Sequence, residues 1–480
     1  MATETPTQHG PDRALTWFSV MWVAAGLFHL ANQAPWIDKP WTIVPYKLTL
    51  EVLLVVVGLR VLTRPTAWKA FLVFITLEAL HGLSEFPRVA NHWMLTTACA
   101  LAMWSAAALP LARGTFSPTT WWRDFGPGVR WIYLVGYSFA AIAKLNTDFL
   151  DPEVSCASTS WVGIMEYFGL PWLNAMPFQL LAIGATVVVE LSLPLALCIP
   201  RLRAPAILMG LVFHYLISFT PILRVPDFAA FLMASWLLFL SPRQLDVLAG
   251  GLARLRTVWG DVLPALTARR LIAGVLMFSV LGFIPALMGL TDGLAWFNQL
   301  RLNAFTVYGL VAIIVLVLCM KELWHVEAHD AQSLRLRDPM AVVLVLLMVA
   351  IGTAPYVGHR TSTNLSMFSN LRTEGGVSNH VVVPTWYAFD YQNDLVEIVE
   401  TDIPRLNLLM EHGDLLPMWE MVYTTSHHPD GHVTYRRGGE TVVVPRVGDV
   451  ADLARMPDLW ERWTLSFRPV TLAGKSTCKW

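Results

Sequence analysis

The chain has 480 residues, of which 55% are hydrophobic and only 14% charged, with a mean hydropathy of +0.51. Soluble domains carry about 25% charged residues, so this composition excludes an ordinary soluble globule and predicts a polytopic membrane protein. The formal net charge of −1 leaves no basic excess to attract nucleic acid, and the 21 tryptophans suit interfacial belts, where an amphipathic ring sits at headgroup level.

The polar start, residues 1–13, reads as a cytoplasmic tail. The first apolar segment, Ala14–Ala34, has no small-residue cleavage site and is expected to stay as a signal anchor. Further apolar runs follow at Lys47–Leu62, Trp68–Glu85, Trp93–Leu111 and Trp131–Leu150. A long acidic segment, 146–177, carries Asp148, Asp151, Glu153 and Glu166 but no Lys or Arg. Then come Phe178–Ile199, Ala204–Thr220, the short Asp227–Leu240, an amphipathic surface helix at Gln244–Arg256, and Leu271–Leu290, Ala304–Met320 and Met340–Ala354. The prediction is an all-α transmembrane bundle of about eleven spans over 14–354.

Loop charge orients it. Alternate loops hold 17 Lys and Arg on one side, Arg113, Arg123 and Arg130 among them, against 5 on the other. Positive loops stay inside, which places the N-terminus in the cytoplasm and the C-terminal part outside. Residues 355–480 turn polar and contain strand-like runs at His380–Trp386, Leu395–Thr401 and Val433–Val444, the last a hairpin with Gly438-Gly439 at its turn. One or two short helices fit Asp402–Tyr423. A small extracytoplasmic α+β or β-rich domain is expected. Of the five cysteines, Cys156 and Cys478 fall on the outer side, where a disulfide is permitted.

Several ionisable residues lie in or at the ends of spans, where they are expensive. Lys144 ends the Trp131–Leu150 run. It either snorkels to water or serves as a desolvated amine base. Glu78 and His81 share one face of a helix with Glu85, as a polar stripe bonded to neighbouring helices or as a lined cavity or proton path. Glu190 sits mid-span before Pro194, and His214 lies in the next span. Glu190 would orient a histidine or pair with Lys144, or form a structural interhelical bond. A second Glu-x-x-His at Glu322 and His325 suggests a di-iron site, but the topology puts it at the opposite surface from Glu78. His427-His428-Pro-Asp-Gly-His432 reads as a turn rather than a metal cluster. No Walker loop, dinucleotide fingerprint, nucleophile elbow or Cys-x-x-Cys occurs.

The stretch Tyr137-Ser-Phe-Ala-Ala-Ile-Ala-Lys144-Leu-Asn-Thr-Asp-Phe-Leu resembles the helix-end segment of the vitamin K-dependent γ-carboxylase superfamily, whose bacterial members are called HTTM-domain proteins. The span carrying Phe213-His214 is similar to another element of that family. Met367-Phe-Ser-Asn-Leu-Arg-Thr-Glu-Gly-Gly-Val-Ser-Asn-His380 resembles a segment found after the last span in some bacterial members. The resemblance implies a helical bundle with an extracytoplasmic β-rich domain, in a bacterial plasma (inner) membrane. It implies Lys144 as the base that starts oxygenation of vitamin K hydroquinone, or of a similar quinone, with Glu190 and His214 as orienting or proton-relay groups. It adds Asn370, Arg372 and His380 to Glu78 and His81 as candidate binding residues. The peptide-binding part of the carboxylases has no recognisable counterpart. The expected partners are therefore the bilayer, a small lipid-soluble substrate, and a protein or peptide at the outer domain. The other class of function is a non-enzymatic transport, immunity or assembly protein in which Lys144 only snorkels.

Overall fold

A computed structural model describes residues 10–33, 45–86, 89–220, 226–258, 293–326 and 333–478. The expected span Leu271–Leu290 lies outside them, as do Lys39, Arg88, Arg224, Arg269 and Arg270 of the loop-charge pattern. The described residues are mostly helical. In order, the helices are α1 (Gly10–Gln33), α2 (Pro45–Thr63), α3 (Trp68–Ser84), α4 (Asn91–Ala112), α5 (Pro118–Ala143), α6 (Cys156–Tyr167), α7 (Met176–Cys198), α8 (Arg203–Ile217), α9 (Pro226–Trp236), α10 (Pro242–Val258), α11 (Gly293–His325) and α12 (Pro339–Thr353). Proline opens α2, α5, α9, α10 and α12 because its fixed φ suits the first turn, where its missing N–H is not needed. Among the described residues, four segments are long and apolar enough to cross a membrane: Asn91–Ala112, Met176–Cys198, Phe305–His325 and Pro339–Val357.

Two compact units divide the chain. One takes Met1–Ser84, Leu95–Leu134 and Ser192–Val345, the other Glu85–Met94, Val135–Leu191 and Leu346–Trp480. In the first, α1 packs on α9, α2 on α3, and α10 and α8 on α11. Rings of Phe18, Trp22, Phe71, Trp122, Phe125 and Phe231 interlock edge-to-face or tilted at its centre. A Cβ at Gly82 would fall 1.8 Å from Thr97 Oγ1, so only glycine lets α3 approach α4 this closely.

The sequence reading places Arg130 in a loop. It is instead a fully buried residue of α5, because that helix starts at Pro118 rather than near Trp131. Its guanidinium is satisfied by carbonyls: Nε donates to Leu238 at 2.7 Å and Nη1 to Ser333. These neutral acceptors lower the cost of burying the charge.

The second unit contains the C-terminal region. Strands β1 (Leu395–Thr401), β2 (Leu415–Pro417), β3 (Val433–Arg437) and β4 (Glu440–Val444) form an antiparallel sheet in the order β2-β1-β3-β4. Helices α13 (Pro404–His412), α14 (Met418–Thr425), α15 (Ala451–Ala454) and α16 (Leu459–Thr464) accompany it. Val396, Ile398, Leu406, Leu416, Met421 and Val433 form its core. The hairpin turn adopts φ of 58° at Gly438 and 89° at Gly439, as its sequence predicts. The expected strand at His380–Trp386 does not form. Only an isolated bridge from His380 to Asn146 is present. The His380 ring takes the N–H groups of Val382 and Val383, which curls the chain, and Pro384 has no N–H to give a ladder.

Candidate functional site

α5 ends in a tightened turn, with the N–H of Lys144 on the carbonyl of Ala141 at 3.1 Å and that of Leu145 on Ile142 at 2.9 Å. This turns Lys144 inward. The residue is only 4% exposed, and Nζ stands 2.7 Å from Oε2 of Glu190, itself 8% exposed, on α7. Nζ also donates to the carbonyls of Ala140 at 3.2 Å and Met367 at 3.0 Å, and lies 5.9 Å from the Phe149 ring centroid. The ammonium therefore has two carbonyl acceptors, a carboxylate ion-pair partner and an aromatic face. It does not snorkel to an exposed position. The arrangement sets an amine against a carboxylate, away from water.

Met367 belongs to an irregular, largely buried segment, 361–374. A buried loop must find partners for its own polar groups, and here asparagines supply them. Asn146, two residues after the lysine, donates to Ala143 O at 2.8 Å and Ser369 O at 2.5 Å, and accepts from the N–H of Phe149 at 2.8 Å. Asn370 accepts from the N–H of Cys156 at 2.8 Å and donates to the carbonyls of Val154 and Ser476 at 2.8 and 2.9 Å. Asn379 donates to Asp148 and to the Asn370 carbonyl, both at 2.9 Å, and accepts from the N–H of Arg372 at 2.8 Å. Thr363, Phe368 and Asn370 have φ of 48°, 47° and 54°. Left-handed backbone costs a bulky L-residue such as Phe368 roughly 1–3 kcal/mol, tolerated only where the surroundings dictate it.

The C-terminus closes the same region. Cys156 and Cys478 form a disulfide, packed with Phe149, Ala157, Ile183 and Phe368. Lys475 brings the acidic segment the cation it lacks, with Nζ 2.6 Å from Asp151 and 2.7 Å from Glu153. The N–H of Ser476 donates to Asp148 at 2.8 Å.

Of the expected binding residues, Asn370, Arg372 and His380 all direct polar atoms at the chain itself. Arg372 Nη1 donates to Thr471 and Gly474 carbonyls at 3.1 and 2.8 Å. His380 Nδ1 accepts from the N–H of Val382 at 3.1 Å and Val383 at 2.8 Å, which assigns the ring proton to Nε2, facing the Ile142 carbonyl at 2.9 Å. Burial holds the His380 pKa below its ordinary value, partly offset by the Ile142 carbonyl. Beside them, burial alone would push the Glu374 carboxyl up, but Arg468 outweighs it and holds the group below the usual glutamate value. A hollow of about 10 Å³, room for roughly one water, is lined by Asn370, Arg372, Glu374, Arg468 and Ser476 among others, and not by Lys144 or Glu190.

Glu78, His81 and His214 lie in the first unit. Glu78 is fully buried and accepts from Trp22 Nε1 at 2.7 Å. His81 Nε2 is 3.6 Å from Glu51 Oε1. The polar stripe on α3 is thus shared between α1 and α2. His214 is buried on α8 against the rings of Phe213, Phe228 and Trp236. Glu322 is held by both Nη atoms of Arg254 at 2.8 Å. His427–His432 forms the expected turn, with the Gly431 N–H on the His428 carbonyl at 3.0 Å.

Asn146, Asn379 and Phe149 were not singled out by the sequence. The signal for Asn146 and Asn379 was an asparagine beside apolar or small residues, and Phe149 carried none. No family model, no curated protein and no solved structure matches the chain.

Proposed function

We propose that the chain is an integral membrane protein of the HTTM kind, resembling the vitamin K-dependent γ-carboxylase superfamily, in which Lys144 acts as a base on a quinol-like, lipid-soluble substrate near the outer face. The observation that carries this reading is the Lys144–Glu190 pair at the end of an apolar helix. An ammonium has no lone pair. It gains one by passing a proton to Glu190, and in a water-poor site the neutral amine and carboxylic acid are a reachable alternative to the two charges. The amine then takes the hydroxyl proton of a quinol, leaving a quinolate and restoring the ammonium. Met367 and Ala140 keep Nζ in place throughout. His214 is assigned the relay role only by the resemblance.

In this reading the helices form about eleven spans in a bacterial inner membrane, with a cytoplasmic N-terminus, and the sheet domain lies outside. The disulfide supports the outer, oxidising placement of Cys156 and Cys478. The second reading, a non-enzymatic transport, immunity or assembly protein, is favoured by the fact that Nζ is held within the chain by two carbonyls and the Glu190 carboxylate, as in a purely structural clamp.

Quinol consumption in nanodiscs separates the two. Lys144→Ala should lose about 10²–10⁴-fold of the rate, the usual contribution of a positioned base, while keeping the disulfide. A Lys144→Ala protein that consumes quinol at the unaltered rate overturns the enzyme reading.

A further inference from the structure

The polar C-terminal region carries a set of tryptophans with no place in its core. Trp386 and Trp460 are 75% and 74% exposed, and Trp172, in the turn before α7, is 68% exposed; among the described residues these are the most exposed tryptophans. Val381, Val382 and Leu459 beside them are exposed as well. A large apolar ring in water is unfavourable, and such side chains in a cluster mark a surface that meets something.

Each lies next to the end of a helix that the sequence reading takes as a span, two of them, α7 and α12, long and apolar enough to cross a membrane, and these ends are on one side in the predicted topology. The N–H of Val381 donates to Leu145 O at 2.9 Å, just past the end of α5, and His380 reaches Ile142 on that helix. The N–H of Trp386 donates to Tyr356 O at 2.7 Å, just after α12. On α16, Leu459, Trp460 and Trp463 share a face, and the Trp463 ring stacks on Phe86 at 6.0 Å, two residues beyond the end of α3. Arg360, a few residues past α12, donates to the Trp463 carbonyl at 3.3 Å. Trp172 packs edge-on against Phe178 in the first turns of α7, whose Leu181 and Val188 are exposed along the apolar span.

We propose that this face of the C-terminal region is seated in the outer headgroup layer of the bilayer, with Trp172, Val382, Trp386 and Trp460 as its anchors. The inference rests on the membrane reading above. The occupant is lipid because the patch continues span ends at four places, and because indole suits this layer, with an apolar body and one N–H for the wet side. A seated domain holds the 361–374 loop, and with it the Met367 carbonyl on Lys144, at headgroup depth. A lipid-soluble molecule would then reach the lysine sideways from the membrane rather than through the aqueous domain.

The unaltered chain in phosphatidylcholine nanodiscs provides the test, with a phosphatidylcholine bearing a photoactivatable diazirine near its headgroup and a second bearing it in the acyl chain. Headgroup adducts should map by mass spectrometry to 381–386 and 459–463, acyl adducts to α7 around Leu181 and Val188, and the β3–β4 hairpin should stay unlabelled. Acyl adducts on α7 with no headgroup adducts at 381–386 and 459–463 overturn the seating and leave the membrane reading standing. Absence of adducts on α7 as well overturns both.

Discussion

Nζ of Lys144 lies 2.7 Å from Oε2 of Glu190, and both side chains are withdrawn from solvent. A buried pair of this kind is costly to break and not especially favourable to keep, because desolvation consumes most of the Coulombic gain. Glu190→Ala should therefore destabilise the second unit by about 3–5 kcal/mol, since it leaves a buried ammonium with only carbonyl partners. Lys144→Met combined with Glu190→Leu should recover most of that loss. Denaturant unfolding in nanodiscs checks both, and a double variant as unstable as Glu190→Ala would show that the pair is worth more than its apolar replacement.

His380 sets a pH dependence. Its half-buried ring is a neutral acceptor for two N–H groups, and its pKa is held below the ordinary value of 6.5 by that burial. Because the folded pKa is lower than the unfolded one, the unfolded state binds more protons as pH falls. The contribution of His380 is fully present above about pH 6.5 and is lost as pH falls through the folded pKa. Stability measured from pH 7.5 downward should decline more steeply in the unaltered protein than in His380→Gln. Equal slopes would contradict the assignment.

Asn370 combines a left-handed backbone with three hydrogen bonds. Asn370→Ala should cost roughly 2–4 kcal/mol, since it strands the Cys156 N–H and strains the backbone. Asn370→Gly, which keeps the conformation but not the bonds, should cost about 1 kcal/mol less. If alanine proves no worse than glycine, the positive φ is not a constraint.

The disulfide gives a fourth check. Denatured without reductant, the chain should take up alkylating reagent at Cys99, Cys198 and Cys319 only, and at all five cysteines after reduction. Cys156→Ser with Cys478→Ser should lower stability by about 2–5 kcal/mol, as removal of native disulfides does elsewhere. Five alkylated cysteines before reduction would contradict the bond.

Local chemistry in this chain was legible, and long-range chemistry only in part: the Cys156–Cys478 and Lys144–Glu190 pairings stood among the sequence's alternatives. Gly438-Gly439 between β-branched runs announced its hairpin because a two-residue turn needs positive φ. The apolar runs announced most of the described helices because a continuous apolar stretch of that length satisfies its own backbone groups best as a helix. Arg130 was misread as a loop charge because sequence cannot show that two carbonyls stand ready for it inside a bundle. The strand at His380–Trp386 was misread because its ladder donors are taken by the histidine ring beside them. Lys144 and Met367–His380 were each noticed separately. Their meeting depends on hydrogen bonds spanning 223 residues, from Lys144 to Met367 and from Asn146 to Ser369, and nothing in local periodicity encodes such a pairing.

The central claim is that the buried Lys144 is a working base and not only a clamp. Its most direct measurement is the rate of hydroquinone consumption by Lys144→Ala and Glu190→Gln in phosphatidylcholine nanodiscs, each shown by alkylation to retain the Cys156–Cys478 bond. The account predicts a loss of about 10²–10⁴-fold for Lys144→Ala and a marked loss for Glu190→Gln, which cannot accept the ammonium proton. A folded Lys144→Ala protein with the full rate would contradict it.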